Sequence, residues 1–280
     1  MVGDLVMLDS IRQIAVEAGI EILRYYGRQG VVEAKADNSP LTQADRAAHA
    51  YICTRLRALD AGIPVLSEES DEEEIRERKS WKRFWLVDPL DGTKEFIKQT
   101  GEFTVNIALI EDGEAVLGVV HVPAREWTYS AEKGRGAWKQ IDGAPAERIR
   151  VRPAPAGDDP DAGLTFVASR DHAGPQVKRL LEVFPGVEAR SMGSALKFCL
   201  VAEGEADLYL RDAPTMEWDV AAAQCIVEAA GGQVLTLEKR PLVYNKDDLR
   251  NPALLTAGDR VLADRALSLL LENNDGSSNL

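Results

Sequence analysis

The sequence predicts an α/β protein built in two styles, a first half of mixed α+β character and a second half of alternating α/β units. Three observations carry that expectation. Two helical periodicities at the N-terminus are followed by a run of strands with no helix of comparable length between them. Beyond residue 163 strands and helices alternate, the grammar of an α/β sheet. Between the two lies "RPAPAGDDPDAG", residues 152–163, whose proline, glycine and aspartate content marks a linker. The expected organisation is therefore an N-terminal subdomain over 1–155, a C-terminal subdomain over 156–272, and a disordered tail over 273–280.

The elements follow in order. Leu5, Leu8, Ile11, Ala15, Ala18 and Ile22 recur at three-to-four spacing, so 4–27 reads as an amphipathic helix stopped at Gly27. Residues 31–35 read as a strand, Ser39-Pro40 as a break, and 42–58 as a second helix. "IPVLSEE" is a short strand running into acid, and 71–79 a solvated helix or loop. Phe84-Trp85-Leu86-Val87 is an apolar strand that stops at Asp88, because the following proline cannot donate to a ladder. "TVNIALI" and "AVLGVVHV" flank Asp112-Gly113, a hairpin signal. "EWTYSAE" and the Gly134–Gly136 turn continue the sheet. Past the linker come strand 164–168, helix 174–183, strand 187–191, helix 194–203, strand 206–210, helix 217–230 and strand 232–236.

Composition narrows the function. The chain has 280 residues, 45 % of them hydrophobic, enough for a substantial core. A formal net charge of −13 argues against binding nucleic acid or an anionic membrane through a basic surface. The three cysteines, Cys53, Cys199 and Cys225, form no CxxC pair, so a disulfide framework is not expected and a reducing cytoplasm is. The N-terminal segment does not read as a signal peptide, and no apolar run reaches the ~18 residues of a membrane span.

The chemistry is concentrated in "FWLVDPLDGTKEFI", residues 84–97. Asp88 and Asp91 stand at i and i+3 around Pro89, at the carboxyl end of a strand, where α/β sheets place ligands. Two carboxylates held close repel, and burying them unpaired is costly. A hard divalent cation removes that difficulty, since Mg²⁺ takes oxygen ligands from one or two carboxylates and a phosphate. Gly92-Thr93 then lets a ligand approach the backbone, and a helix opened at 92–98 would direct free N–H groups at an anion. On the residues alone, an Asp-Gly turn with Asp88 as a cap explains the stretch as well. Glu68 ends a second apolar strand in acid, while Glu72–Glu74 read as solvated. Asp219 falls in the first turn of a helix, where capping accounts for it equally. Its neighbour Glu217 reads as solvent-facing. Thr42-x-x-Asp45 is a capping box. The three histidines fit no catalytic arrangement, and GxSxG, HExxH and Walker patterns are missing.

Together "WLVDPLDGTKEF", the upstream "LSEE" and the downstream "EWDVAAAQCIVEAAGG" resemble the inositol monophosphatase superfamily. Within it, "DPLDGTKEFI…GEFTVNIALI" and "GSALKFCLVAEGEADLYLR" resemble the 3′(2′),5′-bisphosphate nucleotidase branch, across roughly residues 5–260. The resemblance implies a layered αβαβα sandwich of the sugar-phosphatase type with the active site between subdomains. It implies two or three Mg²⁺ per site, held by Glu68, Asp88, the main-chain oxygen of Leu90, Asp91 and Asp219, with Asp88 bridging. It implies that Thr93, paired with Asp45, orients the attacking water, and that Gly92 and Thr93 amides bind the scissile phosphate. Ser194, Lys197 and Arg211 match positions around the ribose and second phosphate, Ser194 and Lys197 sharing a helical face. Glu68, Leu90, Asp91 and Asp219 would also border the substrate. The chain departs from the common pattern in having Ala223 and Ala230 where glycine is frequent, with no expected effect on metal binding.

The implied activity is Mg²⁺-dependent hydrolysis of adenosine 3′,5′-bisphosphate to AMP and phosphate, with lithium sensitivity and a place in sulfur metabolism. The substrate is a small phosphorylated nucleotide; no nucleic acid, no membrane span and no fixed oligomeric state are implied. An inositol or other sugar-phosphate phosphatase would use the same metals on a different alcohol. A non-enzymatic cation binder is disfavoured because Leu90 stands where an EF-hand ligand would be and no glutamate closes the loop.

Overall fold

The computed structural model describes residues 2–28, 32–34, 40–153, 161, 163–168, 174–184 and 187–272. The expected tail 273–280, most of the expected linker (154–160 and 162), Ser39 and His172 lie outside the described residues.

The first part of the chain opens with α1 (Val2–Leu23), a short antiparallel pair β1 (Val32–Ala34) and β2 (Pro40–Thr42), and α2 (Gln43–Leu59). Leu8, Ile11, Ala15, Ala18 and Ile22 form the buried face of α1, as the periodicity requires. The helix ends at Leu23, four residues before Gly27, in a turn whose amides bond back to Glu21, Ile22 and Leu23 carbonyls. Then follow β3 (Val65–Ser67), α3 (Glu72–Glu77), β4 (Arg83–Asp91), α4 (Thr93–Ile97), β5 (Thr104–Glu111), β6 (Glu114–Val122), β7 (Trp127–Glu132), β8 (Gly136–Ile141) and β9 (Glu147–Ile149). These strands form one seven-stranded sheet in the order β3-β4-β5-β6-β7-β8-β9, parallel only at β3–β4. Asp112-Gly113 makes the expected β5–β6 hairpin, with positive φ at both residues.

The remainder comprises β10 (Thr165–Ala168), α5 (Pro175–Val183), β11 (Glu188–Ser191), α6 (Leu196–Ala202), β12 (Leu208–Arg211), β13 (Thr215–Met216), α7 (Glu217–Ala229), β14 (Gln233–Thr236), β15 (Arg250–Asn251), β16 (Leu254–Ala257) and α8 (Arg260–Glu272). A five-stranded sheet runs β11-β10-β12-β16-β14, parallel on the β10 side and antiparallel around β16. The sequence reading stopped at residue 236 and so missed β16 and α8; β16 is only four residues long, too short for alternation to show.

Five layers result. The pair α1 and α2 packs on one face of the seven-stranded sheet, and α7 with α6 on the other. The five-stranded sheet covers α6 and α7, and α5 with α8 closes the far side. Three apolar clusters fill the gaps: Ile11, Ile52 and Trp85 under α1 and α2; Phe84, Tyr129, Val220 and Ile226 around α7; Phe166, Phe184 and Leu267 under α8. This is the αβαβα sandwich that the resemblance implied. Because α7 is buried from Val220 to Val227 between the two sheets, that stretch is apolar but for Gln224.

Strand β4 does not stop at Asp88. It runs through Pro89 to Asp91, pairing Asp88 with Asn106 and Asp91 with Thr104 across a register shift. On its other side β3 pairs only as far as Val87 and Glu68 donates to the Val87 carbonyl, so the donor that Pro89 lacks has no ladder to serve. The irregularity at Asp88–Asp91 turns both carboxylates out of the regular pleat.

Candidate functional site

At the carboxyl end of β4, four carboxylates from three distant stretches come together. Asp88 is 1 % exposed, and its carboxyl is pushed well up from its ordinary value, first by burial and then by the charges of Glu68, Asp91 and Asp219. Glu68, at the end of β3, shares a hydrogen bond with Asp88. The Leu90 amide donates to Asp88 Oδ1 at 3.0 Å. Asp91 is also raised by burial, opposed by the nearby Lys197 ammonium and by the Ala195 amide. Its Oδ2 accepts from Ala195 N at 2.7 Å and from Thr104 Oγ1 and Asn106 Nδ2, each at 3.5 Å. Asp219, in the first turn of α7, accepts from the Met216 amide at 2.8 Å, the capping bond that sequence alone suggested. It is nonetheless pushed up to about 8, first by burial and then by Asp91.

The donor set suits a hard cation, because every group is an oxygen and the cluster holds more negative charge than burial tolerates. Among the described residues no three His, Cys, Asp or Glu side chains already surround one point as a finished coordination shell. Their oxygens instead face one another and neighbouring amides.

Beside the cluster, Gly92 has φ +89°, left-handed backbone that favours glycine, and opens α4. The Thr93 hydroxyl lies 3.4 Å from Asp45 Oδ1 and 3.3 Å from the Leu90 carbonyl. Asp45 is 1 % exposed, and its other oxygen accepts from the Thr42 amide at 2.7 Å and the Thr42 hydroxyl at 2.5 Å. It is therefore a helix cap and a partner of Thr93 at once.

A cleft of about 200 Å³ opens between this cluster and the five-stranded sheet, bordered by Asp91, Gly92, Ser194, Lys197, Arg211 and Asp219. Ser194 is not helical: its φ is +43° and α6 begins two residues later, so it and Lys197 meet through a turn rather than along a helical face. Lys197 is no surface lysine. It is 6 % exposed, donates to the Ser194 carbonyl at 2.7 Å, and burial lowers its ammonium to about 8. Ser194 Oγ and Arg211 Nε are buried without a hydrogen-bond partner among the described residues.

Glu217 is 0 % exposed, contrary to its reading as solvent-facing. It accepts from the Asn245 and Lys246 amides at 2.7 and 3.0 Å and from Lys246 Nζ at 2.7 Å. A buried glutamate looks like a solvated one when its partners lie almost thirty residues ahead in an irregular loop. The Asp91 partners Thr104 and Asn106 were also missed, though a signal existed: apart from the terminal Glu111 they are the polar residues of an apolar strand, spaced by two, and 0 % and 1 % exposed.

The family profile described as "Inositol monophosphatase family" matches residues 6–273. A curated relative from Escherichia coli strain K12, named 3′(2′),5′-bisphosphate nucleotidase CysQ, is 47 % identical over 249 residues, covering 88 % of this chain and 97 % of its own. The same-named protein of Haemophilus influenzae is 35 % identical over 91 % of this chain and 93 % of its own. Among solved structures, CysQ from Bacteroides thetaiotaomicron superposes with a TM-score of 0.77 at 41 % identity, covering 90 % of this chain and 97 % of that one. An inositol monophosphatase from Zymomonas mobilis gives 0.74 at 26 %, covering 94 % and 96 %. By profile, sequence and fold, the chain belongs to the inositol monophosphatase family.

Proposed function

We propose that the protein is a Mg²⁺-dependent phosphomonoesterase that hydrolyses adenosine 3′,5′-bisphosphate to AMP and phosphate, in a site between an N-terminal (1–155) and a C-terminal (156–272) subdomain. The observation that carries this reading is the juxtaposition across Asp91 of a crowded acid cluster and a buried cationic cleft, in a chain 47 % identical to a 3′(2′),5′-bisphosphate nucleotidase. Carboxylates alone would repel a bisphosphate. Glu68, Asp88, Asp91, Asp219 and the Leu90 carbonyl are the groups that would hold two or three Mg²⁺, and Glu68 would exchange its bond with Asp88 for the ion. Bound Mg²⁺ supplies the positive charge that neutralises these acids, draws in the phosphate and polarises water and ester oxygen.

The residues of the chain do the rest. With its hydrogen directed to Asp45 or Leu90, the Thr93 hydroxyl presents lone pairs that accept from a water and aim its oxygen at phosphorus. With the Thr93 hydrogen on Asp45, the water proton passes by way of Thr93 to Asp45, the new P–O bond forms in line, and the bond to the ribose 3′-oxygen breaks; that oxygen takes up a proton from bulk water. The Gly92 and Thr93 amides hold the phosphoryl oxygens. Ser194 Oγ and Arg211 Nε, buried without a partner among the described residues, take the ribose and the second phosphate together with the Lys197 ammonium. Three buried free cysteines accord with a reducing cytoplasm as the setting. No described helix is long and apolar enough to cross a membrane.

The test is a substrate panel with Mg²⁺: adenosine 3′,5′-bisphosphate, inositol 1-phosphate and fructose 1,6-bisphosphate, compared by kcat/KM. The first is expected to be preferred and chelation to abolish turnover. Preference for inositol 1-phosphate would make the protein an inositol phosphatase, and no Mg²⁺-dependent phosphate release would leave a cation binder.

A further inference from the structure

Glu102 has no role in the chemistry above, yet it lies where the start of β5 in the seven-stranded sheet meets the turn leading into α6, beside the cleft. It is 7 % exposed and lies just before β5. Its Oε2 accepts from the Gly193 amide at 3.0 Å, ninety-one residues away in sequence. Its Oε1 lies 3.6 Å from Arg125 Nη2, and the Arg125 guanidinium stacks over the Trp127 ring at 5.0 Å. The main-chain oxygen of Glu102 is equally placed. A Cβ on Gly193 would stand 2.7 Å from it, and a Cβ on Gly92 would stand 3.2 Å from it. The phosphate-side turn at Gly92 and the nucleotide-side turn at Gly193 therefore both lie against one residue.

Two bonds fasten the 193–195 turn to the seven-stranded sheet: Gly193 N to Glu102 and Ala195 N to Asp91. Between them stands Ser194, whose φ of +43° is a conformation that a non-glycine residue keeps only when held. The Ser194 carbonyl in turn anchors Lys197 Nζ. Asp91 is committed to the metal cluster in the reading above; Glu102 is the other carboxylate that holds the turn.

We propose that Glu102 is a positioning residue for nucleotide selection: through Gly193 it fixes the Ser194 turn, and so the placement of Lys197, against the metal side of the cleft. Arg125 Nη2 faces the other carboxylate oxygen and steadies the side chain from that side. The proposal rests on the nucleotidase reading and deepens it. A substrate that touches only the phosphate side has no need of this latch, whereas one that spans both turns depends on their separation.

The test compares wild type, Glu102→Gln and Glu102→Ala, with Mg²⁺ present, on adenosine 3′,5′-bisphosphate and on inositol 1-phosphate. Loss of one charge-assisted bond is expected to raise KM for the bisphosphate about tenfold in Glu102→Ala. The isosteric amide keeps an acceptor and is expected to lose about threefold. In both, kcat on the bisphosphate and kcat/KM on inositol 1-phosphate stay within about twofold of wild type. A residue that merely supports the fold would lower both substrates together. Equal losses on the two substrates, an unchanged KM for the bisphosphate, or failure of both variants to fold would each overturn the latch alone. A wild-type protein inactive on the bisphosphate would overturn the nucleotidase reading and the latch with it.

Discussion

The cleft has an acidic wall and a basic wall, and they are built differently. Glu68, Asp88 and Asp91 stand at the ends of adjacent strands in the seven-stranded sheet, and Asp219 begins the helix packed on that sheet. Asp88 and Asp91 are held by the long pairing of β4 with β5, and Glu68 by the three-residue pairing of β3 with β4. Lys197 and Ser194 belong to a turn and a seven-residue helix, and Arg211 ends a short strand. Arg211 is held by the pairing of β12 with β16, and the turn at Ser194 by single hydrogen bonds to Asp91 and Glu102. In the proposed function, chemistry falls to the acidic wall and substrate selection to the basic one.

The sharpest way to break the contrast is to remove an acid that touches both walls. Asp91→Asn is expected to lower kcat/KM by at least about a thousandfold, as loss of a preorganised charge at the reacting centre does. Near-normal turnover would mean that the acidic wall is not the chemical one. Thr93→Ala is expected to cost about a hundredfold in kcat with little change in KM, the range of general acid–base contributions. A rise in KM with kcat intact would instead move Thr93 to substrate binding. On the basic wall, Lys197→Ala is expected to raise KM for adenosine 3′,5′-bisphosphate about tenfold, the worth of one charge-assisted bond, and KM for inositol 1-phosphate less. Equal effects on both would erase the division between walls.

The smallest effect concerns stability. Asp219 is pushed up from 3.8 to about 8, and Asp88 and Asp91 are raised as well. A carboxyl whose folded pKa lies above its unfolded value makes its full contribution below the unfolded pKa. That contribution is lost as pH rises through the folded pKa. Metal-free protein is therefore expected to lose thermal stability between about pH 4 and pH 8 through these groups, and Mg²⁺ to restore it at the upper end. His121 works the opposite way within the lower part of that range: burial lowers it to about 4, so its neutral form stabilises the fold above 6.5, that contribution falls away toward 4, and it offsets part of the carboxyl effect there. A midpoint at pH 8 that ignores Mg²⁺ would show that the acids carry no unrelieved charge.

The two walls also differ in how far sequence exposed them. An apolar strand running into acid is visible in one dimension, so Glu68, Asp88 and Asp91 stood out, and alternation after residue 163 gave the second sheet's style. The layered sandwich came from family resemblance, since no local pattern shows which face of a sheet a helix covers. Asp45 looked like a cap and is one; its second role needs Thr93, forty-eight residues away. Glu217 misled because the burial of its charge is decided by partners 28 and 29 residues along the chain, and nothing beside it announces them. Strand β4 was cut short because Pro89 breaks a ladder only where a ladder exists, and β3 had already ended.

Crystals soaked in Mn²⁺, a spectroscopically visible stand-in for Mg²⁺, test the central claim most directly. Anomalous difference maps are expected to show two or three peaks within ~2.0–2.6 Å of carboxylate oxygens from Glu68, Asp88, Asp91 and Asp219, the bond range of hard divalent cations with oxygen ligands. Peaks elsewhere, or a single ion that leaves Asp219 untouched, would contradict the view that these distant acids make one cation-binding wall.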